Sequence, residues 1–402
     1  MHRQSFFFIL SLAAWPAFAQ DLPEGPQKQI VAKVCSGCHE LKRVTNSGND
    51  RAGWRNVVAM MRNAGAPLPP DQLEPVADYL AAHFPPKAHP QAVILPGPVT
   101  VAIREWDVPT PGSRPHDPLA TADGALWYTG QMANVLGRLD PATGAIREYK
   151  LPDHSGPHGL VADAAGNIWY TANFAGYVGK LDPKTGEVKH YPMPDPAAGD
   201  PHSLVFDPAG ILWFTVQGAN RLGRLDPKTG EVRLAESPTP HSLPYGIAVD
   251  PSGVPFFVEF GSNKIGRIDP ETMAIREYAL PDPQSRPRRI AITGDGLVWY
   301  TDYAKGRLGR LDPKDGSVKE FASPGGPTSS PYGIAAAGKV LWYSESNATP
   351  NTLVRFDSET GNFQSWGIPS GGGVVRNMMA RGTGELALAC SGVNKVALVE
   401  IR

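Results

Sequence analysis

Apolar and polar positions change period twice along this chain. Residues 1–20, MHRQSFFFILSLAAWPAFAQ, place His2 and Arg3 before an apolar run from Phe6 to Ala14 and end in the small-residue pattern Ala17-Phe18-Ala19. This predicts a secretory leader over residues 1–19, cleaved before Gln20, and an exported, periplasmic mature chain. The run is too short to span a bilayer, which takes about 20 apolar residues, and no later stretch approaches that length, so no membrane span is expected. Helical periodicity follows. "DRAGWRNVVAMMRNAGAPL" predicts an amphipathic helix that opens at Asp50 and breaks near Gly65. "PPDQLEPVADYLAAHF" predicts another, with Asp71 as cap, Glu74 completing a capping box, an apolar stripe of Leu73, Val76, Tyr79, Leu80 and Phe84, and His83 on the solvated face. "PPKAHPQAVILPGP" has neither period and reads as an extended, semi-rigid linker over residues 86–98.

From residue 112 the period becomes that of short strands, and the chain repeats itself. "SRPHDPLATADGALWYTGQMANVLGRLDPATGAIREY", "SGPHGLVADAAGNIWYTANFAGYVGKLDPKTGEVKHY" and "GDPHSLVFDPAGILWFTVQGANRLGRLDPKTGEVRLA" align directly, and three copies opening on SLPYGI, SRPRRI and SSPYGI follow. An aromatic column runs Trp127, Trp169, Trp213, Phe256, Trp299 and Trp342 in steps of 42 to 44 residues. An aspartate column runs Asp140, Asp182, Asp226, Asp269, Asp312 and Asp357. Four strand-sized runs per copy, parted by Gly or Asp-Pro-x-Thr-Gly turns, predict one β-propeller blade each. Helix-pair repeats share the period but not the β-branched and aromatic runs. Residues 374–402 supply only three strands, and "VTVAIREWDVP" (99–109) has the fourth-strand pattern. The expectation is a two-domain chain: a small all-α domain over residues 24–85 and an all-β seven-bladed propeller over 99–402, closed by an N-terminal outer strand that leaves no open edge.

Composition narrows the function. Lys plus Arg (38) nearly balance Asp plus Glu (39), and no basic block appears, which argues against nucleic acid. Three cysteines cannot build a disulfide framework. Cys390, in "ELALACSGV", reads as a buried strand residue.

The other two lie in "VAKVCSGCHELKRV". Cys35, Cys38 and His39 form C-x-x-C-H, in which both thiols hold haem c covalently and the histidine ligates iron. A zinc half-site would want a second Cys or His pair nearby, and a redox C-x-x-C a strand-helix pattern. Met60 and Met61 are candidates for the sixth ligand, against the ordinary use of Met as core filler. Residues 24–85 resemble a monohaem class I cytochrome c domain. That family's W-x6-M-x3-G spacing matches Trp54, Met61 and Gly65, which implies Met61 as the second axial ligand and electron transfer as the activity.

The units "PHGL…IWYTA…GYVGKLDPKTGEVKHYPMP" and "PYGIAVDPSG…NKIGRIDPET" resemble the virginiamycin B lyase (streptogramin lyase) family across residues 99–402. The resemblance implies a seven-bladed propeller and a Mg²⁺-assisted elimination that opens a cyclic depsipeptide without water. The family's sixth-blade histidine falls on Tyr332, its seventh-blade histidine on Asn377 and its last glutamate on Ala389, so in direct register that site is absent. The pattern reappears in other blades: His158 opens the second repeat, Asp200-Pro201-His202 the third, and His116 holds the same column in the first. These equivalent positions should be neighbours on one face near the axis. In the rotated register the glutamate position is Val216, while Glu259, Asp302 and Glu345 hold that column in the next blades; Tyr245, Arg288 and Tyr332 continue the histidine column. Three readings stay open: tolerated rim residues; a lyase-like site with a histidine base and Mg²⁺ or another divalent metal; or a face that binds a small-molecule substrate or redox partner protein and passes electrons to the haem. A non-catalytic docking scaffold is a variant of the last.

Overall fold

A computed structural model describes residues 22–402, so the leader expected over residues 1–19 lies outside the described residues. The chain divides into two compact units, one comprising the residues up to Arg55 and Ala66–Lys87, the other Asn56–Gly65 and Ala88–Arg402. Among the described residues no helix is long and apolar enough to cross a membrane.

The residues before the propeller form α1 (Lys28–Cys35), α2 (Lys42–Thr45), α3 (Arg51–Asn63) and α4 (Leu73–His83). Asp50 starts α3 as its sequence suggests: its Oδ1 accepts the Gly53 amide at 2.7 Å, satisfying one of the unpaired first-turn donors. Gly65 follows at φ +98, a conformation that favours glycine and ends the helical run. The expected capping box of α4 does not form. Pro70–Gln72 make a 3-10 turn instead, and Gln72 takes the N-cap with no side-chain bond. The reason is competition: proline presets the first turn without a cap, and Glu74 is drawn to Arg51 and Arg55 at 2.9 and 2.6 Å. Leu73, Val76, Tyr79 and Leu80 are buried, but Phe84 is only half-buried. His83 is half-buried too, with its ring 4.6 Å from that of Tyr79, rather than solvated.

Seven four-stranded antiparallel sheets make the propeller. The last sheet is completed by Val101–Asp107, which pairs with Lys395–Ile401 from Val101↔Ile401 to Asp107↔Lys395. Both motif columns have physical roles. Asp140, Asp182 and Asp226 each accept the amide two residues on, at 2.8–2.9 Å, which fixes the Asp-Pro-x-Thr-Gly turn. The column tryptophans are buried, and Trp169 and Trp213 donate Nε1 to Asp163 and Asp207 at 2.9 and 2.8 Å. Each such ring takes about 150–250 Å² out of water, roughly 4–6 kcal/mol gross. The glycine of each "LGR" or "IGR" run makes room for the aromatic ring on the neighbouring strand: a Cβ at Gly223 would lie 2.0 Å from Phe214 Cζ. The linker is extended as expected but pinned rather than free, since Pro90 and Leu95 carbonyls accept from Thr349 and Ser365 at 2.9 and 3.1 Å.

The innermost strands are Pro115–Ala120, Pro157–Ala162, Pro201–Phe206, Pro244–Val249, Pro287–Ile292, Pro331–Ala337 and Val375–Arg381. In each, pairing with the second strand breaks between the first and fourth residue. This bulge withdraws the second and third residues from the ladder and re-aims their side chains. In blades 1, 2, 3 and 5 one threonine hydroxyl catches their freed backbone groups, whereas blades 4 and 7 have Val258 and Ala389 at that position. Thr129, Thr171, Thr215 and Thr301 accept the third residue's amide at 2.9–3.2 Å. The same hydroxyls donate to the second residue's carbonyl in the next blade at 2.5–2.8 Å. The threonine of "WYT" therefore joins neighbouring blades and sets the axial side chains.

Candidate functional site

The bulged positions assemble the site. His116, His158 and His202 come together: centroids of successive rings lie 3.6 Å apart, and Tyr245 continues the row 4.1 Å from His202. Tyr245 and Tyr332 hydroxyls meet at 2.5 Å. Arg288 stacks on Tyr332, Tyr303, Phe260 and Tyr245 at 3.9–5.2 Å from their centroids. The pairing Val375↔Cys390 shows that the seventh blade's member of this column is Arg376, not Asn377, and that the last-glutamate position is Cys390, not Ala389. The one-residue slip arises because Val375 stands where the other blades have proline. Cys390 is buried and free, and burial pushes its thiol well up.

The next column, which sequence reasoning missed, locks these residues in place. Asp117 accepts from Arg289 Nη2 at 2.7 Å, from Asn377 at 2.9 Å and from His116 Nδ1 at 2.9 Å. A carboxylate only accepts, so Nδ1 of His116 carries the proton and Nε2 the lone pair. Arg289 also reaches Ser203 Oγ at 3.1 Å, and His202 Nδ1 lies 3.1 Å from that hydroxyl. Asp117, Ser203, Arg289 and Asn377 thus tie blades 1, 3, 5 and 7 across the axis. The intervening blades carry Gly159, Gly246 and Gly333, where a Cβ would press on the next strand at 2.6–3.0 Å. The signal was an alternation of polar residue and glycine in one column.

Electrostatics follow from burial among cations. Desolvation, then Arg376, Arg289 and Arg114, push His116 well below the usual imidazole range. Desolvation and the neighbouring histidines do the same to His158, and desolvation and Arg289 to His202. All three are neutral near pH 7, and Nδ1 of His158 is buried with no hydrogen-bond partner among the described residues. Burial raises the Tyr332 phenol, but Arg288, Arg376 and Arg289 outweigh it and hold it down at about 8. Burial and Tyr332 push Tyr245 up to about 12. His116, Asp117 and His158 offer ligand atoms within 4.8 Å of one another, a possible metal set. The surrounding guanidinium field that disfavours imidazolium works equally against a divalent cation and for an anion.

The carboxylate candidates lie elsewhere. Asp200 gives its oxygens to the Gly218 and Ala219 amides at 2.5 and 3.4 Å. Glu259 bonds Ser237 and Ser262 at 3.1 and 2.7 Å. Glu345 takes Ser323, Gly325 and Thr352, each at 2.6 Å. Asp302 takes the Arg286 and Ala304 amides at 2.9 and 3.2 Å. They brace the loops of this face rather than oppose the histidines, and Pro201↔Val216 places valine where the rotated register needs an acid.

In the helical unit, Cys35 ends α1, and Cys38 and His39 follow in the turn. Both thiols are free, Cys38 exposed and Cys35 pushed up by burial. His39 Nδ1 faces the Glu40 carbonyl at 3.2 Å. Met60 and Met61, both half-buried on α3, fall in the other unit, with Asn56–Gly65.

Curated protein sequences offer no match to the chain. Among solved structures, virginiamycin B lyase from Staphylococcus aureus superposes with TM-score 0.68 at 27% identity, covering 75% of this chain and 99% of that one. A catalytically inactive histidine-to-alanine variant of that enzyme, crystallised with quinupristin, matches with the same values. A streptogramin B lyase structure matches at 26% identity and TM-score 0.68, covering 75% of this chain and 98% of that one. The model of the virginiamycin B lyase family matches residues 97–344, well over half of the sequence. With seven blades, a split closing sheet and that match, the chain belongs to the virginiamycin B lyase family.

Proposed function

We propose that this protein is an exported c-type cytochrome, an electron carrier whose lyase-like propeller binds a small-molecule substrate or redox partner on its axial face. The observation that carries the reading is the C-x-x-C-H set itself. Two free thiols and an imidazole stand at the end of α1, and a carbonyl is placed to accept from Nδ1. That leaves Nε2 of His39 as the basic nitrogen, the usual way a ligating histidine is oriented. The donor set fits a covalently held haem, which would supply one-electron transfer when bound. Cys35 and Cys38 would hold the group, His39 would ligate one side, and Met61 is the residue we assign to the other. On the propeller, the family's acid and base positions are taken by Tyr332, Arg376 and Cys390. That set suits binding better than proton abstraction by histidine. A lyase in the rotated register, with His158, His202 and Asp200, would need Mg²⁺ or another divalent metal and an acid where Val216 stands.

The test is an absorption spectrum of the matured protein, oxidised and then dithionite-reduced. Sharp c-type bands that survive acid-acetone extraction are expected, with a weak methionine-iron band in the oxidised form that Met61→Ala removes. A colourless protein, or haem that extracts freely, overturns the reading.

A further inference from the structure

We propose that Arg114 and Arg376 form a carboxylate clamp at the axial cluster, and that the ligand it takes is a small aromatic acid. The inference rests on the reading of this face as a binding surface and names its substrate class. Four guanidinium groups surround the histidine row, and their partners differ. Arg289 is spent on Asp117 and Ser203, and Arg288 is enclosed by rings. Arg114 and Arg376 have no hydrogen-bonded or ionic side-chain partner among the described residues; Arg114 uses only its backbone amide, towards Asn394 at 3.3 Å. Nε of Arg376 is buried and unpaired.

The two charges lie close enough to disturb one another, since burial and then Arg376 pull Arg114 down to about 10. Arg376 holds the seventh blade's place in the histidine column, and Arg114 directly precedes Pro115 at the head of the first blade's inner strand, so the two stand in neighbouring blades on either side of His116, on which both act. A fold gains nothing from two adjacent, half-desolvated, unpaired cations; a bound anion would remove that penalty. The guanidinium fork matches a carboxylate bidentately. An aromatic body is indicated by the neighbouring wall: Tyr332 holds the same column position as Arg376 in the preceding blade, and the half-buried Tyr303 and Phe260 pack in a row between it and Tyr245, with centroids 5.6–6.1 Å apart.

Isothermal titration of the matured full-length protein with benzoate, benzyl alcohol and inorganic phosphate tests this. Benzoate should saturate with Kd at or below about 1 mM, with benzyl alcohol and phosphate at least tenfold weaker. Arg376→Gln and Arg114→Gln should each weaken benzoate tenfold or more while the urea midpoint stays level or rises, because one of two repelling charges is gone. Equal binding of benzyl alcohol, unchanged affinity in both variants, or no saturable benzoate binding would overturn the clamp. Phosphate binding as tight as benzoate would overturn the aromatic class. A protein without covalent haem that still binds benzoate sinks the electron-transfer reading alone; an intact haem spectrum without benzoate binding sinks this inference alone.

Discussion

Replacing Asp117 by asparagine removes one negative charge and almost no volume from the point where four blades meet. Asp117 is 5% exposed and Arg289 4% exposed, so water replaces little of what is lost. The aspartate accepts from Arg289, Asn377 and His116, all within 2.9 Å. A single charge-assisted bond is worth about 1.5–3 kcal/mol, and leaving a buried guanidinium without its counter-ion costs about 3–5 kcal/mol. Asparagine keeps one acceptor oxygen but turns an NH2 towards donors. Asp117→Asn should therefore cost about 3–5 kcal/mol, read as a lower urea midpoint of the propeller's tryptophan fluorescence at unchanged m. Salt should not rescue or worsen it, because a buried pair is poorly screened. Adding Arg289→Met should restore much of the loss, with a coupling energy of at least about 2 kcal/mol in the double-mutant cycle. A single-mutant cost below about 1 kcal/mol, or additive single mutants, would refute the idea that this pair closes the ring.

Two further outcomes follow from other parts of the site. Burial beside Glu277 raises the Glu259 carboxyl from its ordinary 4.5 to about 7. Its proton is held more tightly in the fold than in the unfolded chain, so its stabilisation is full below pH 4.5 and is lost as pH rises through 7. The loss is roughly 3 kcal/mol, and Glu259→Gln should flatten the fall in melting temperature across that window; an unchanged slope would assign it to other groups. Thr215→Val removes the acceptor for the Ser203 amide and the donor to the Tyr245 carbonyl. Two buried backbone groups left unpaired should cost about 2–4 kcal/mol in urea unfolding, and a cost under about 1 kcal/mol would show that the blades do not depend on this hydroxyl.

Much of the architecture was legible because it is local. The Asp-Pro-x-Thr-Gly turns are fixed by an aspartate and the amide two residues on, so they recur wherever the motif does. Tryptophan spacing counted the blades, and a fourth-strand pattern at residues 99–109 found its partner in Lys395–Ile401, since only pairing removes two open edges. The gathering of His116, His158 and His202 was readable for the same reason: a repeat carries equivalent positions to equivalent places. The first turn of α4 was misread where two arginines 19 and 23 residues away claimed Glu74.

The sequence by itself determined the repeat, the turns, the closing strand, the histidine column and the C-x-x-C-H spacing, because each depends on residues within one repeat or on identity at a fixed period. Tertiary structure alone decided the rest. A bulge at the start of every inner strand turned a second column towards the axis, and that depends on strand pairing rather than on side-chain pattern. Asp117 found Arg289 172 positions away and Asn377 260 positions away, and a charge pair at such separation leaves no periodic trace. Glu259, Asp302 and Glu345 share a column with one another, yet the loop amides and hydroxyls beside them captured their carboxylates. Which residues face the axis was set by the ring closing, when charges taken out of water had to find partners or remain, as the half-buried Arg114 and Arg376 do among the described residues, without one.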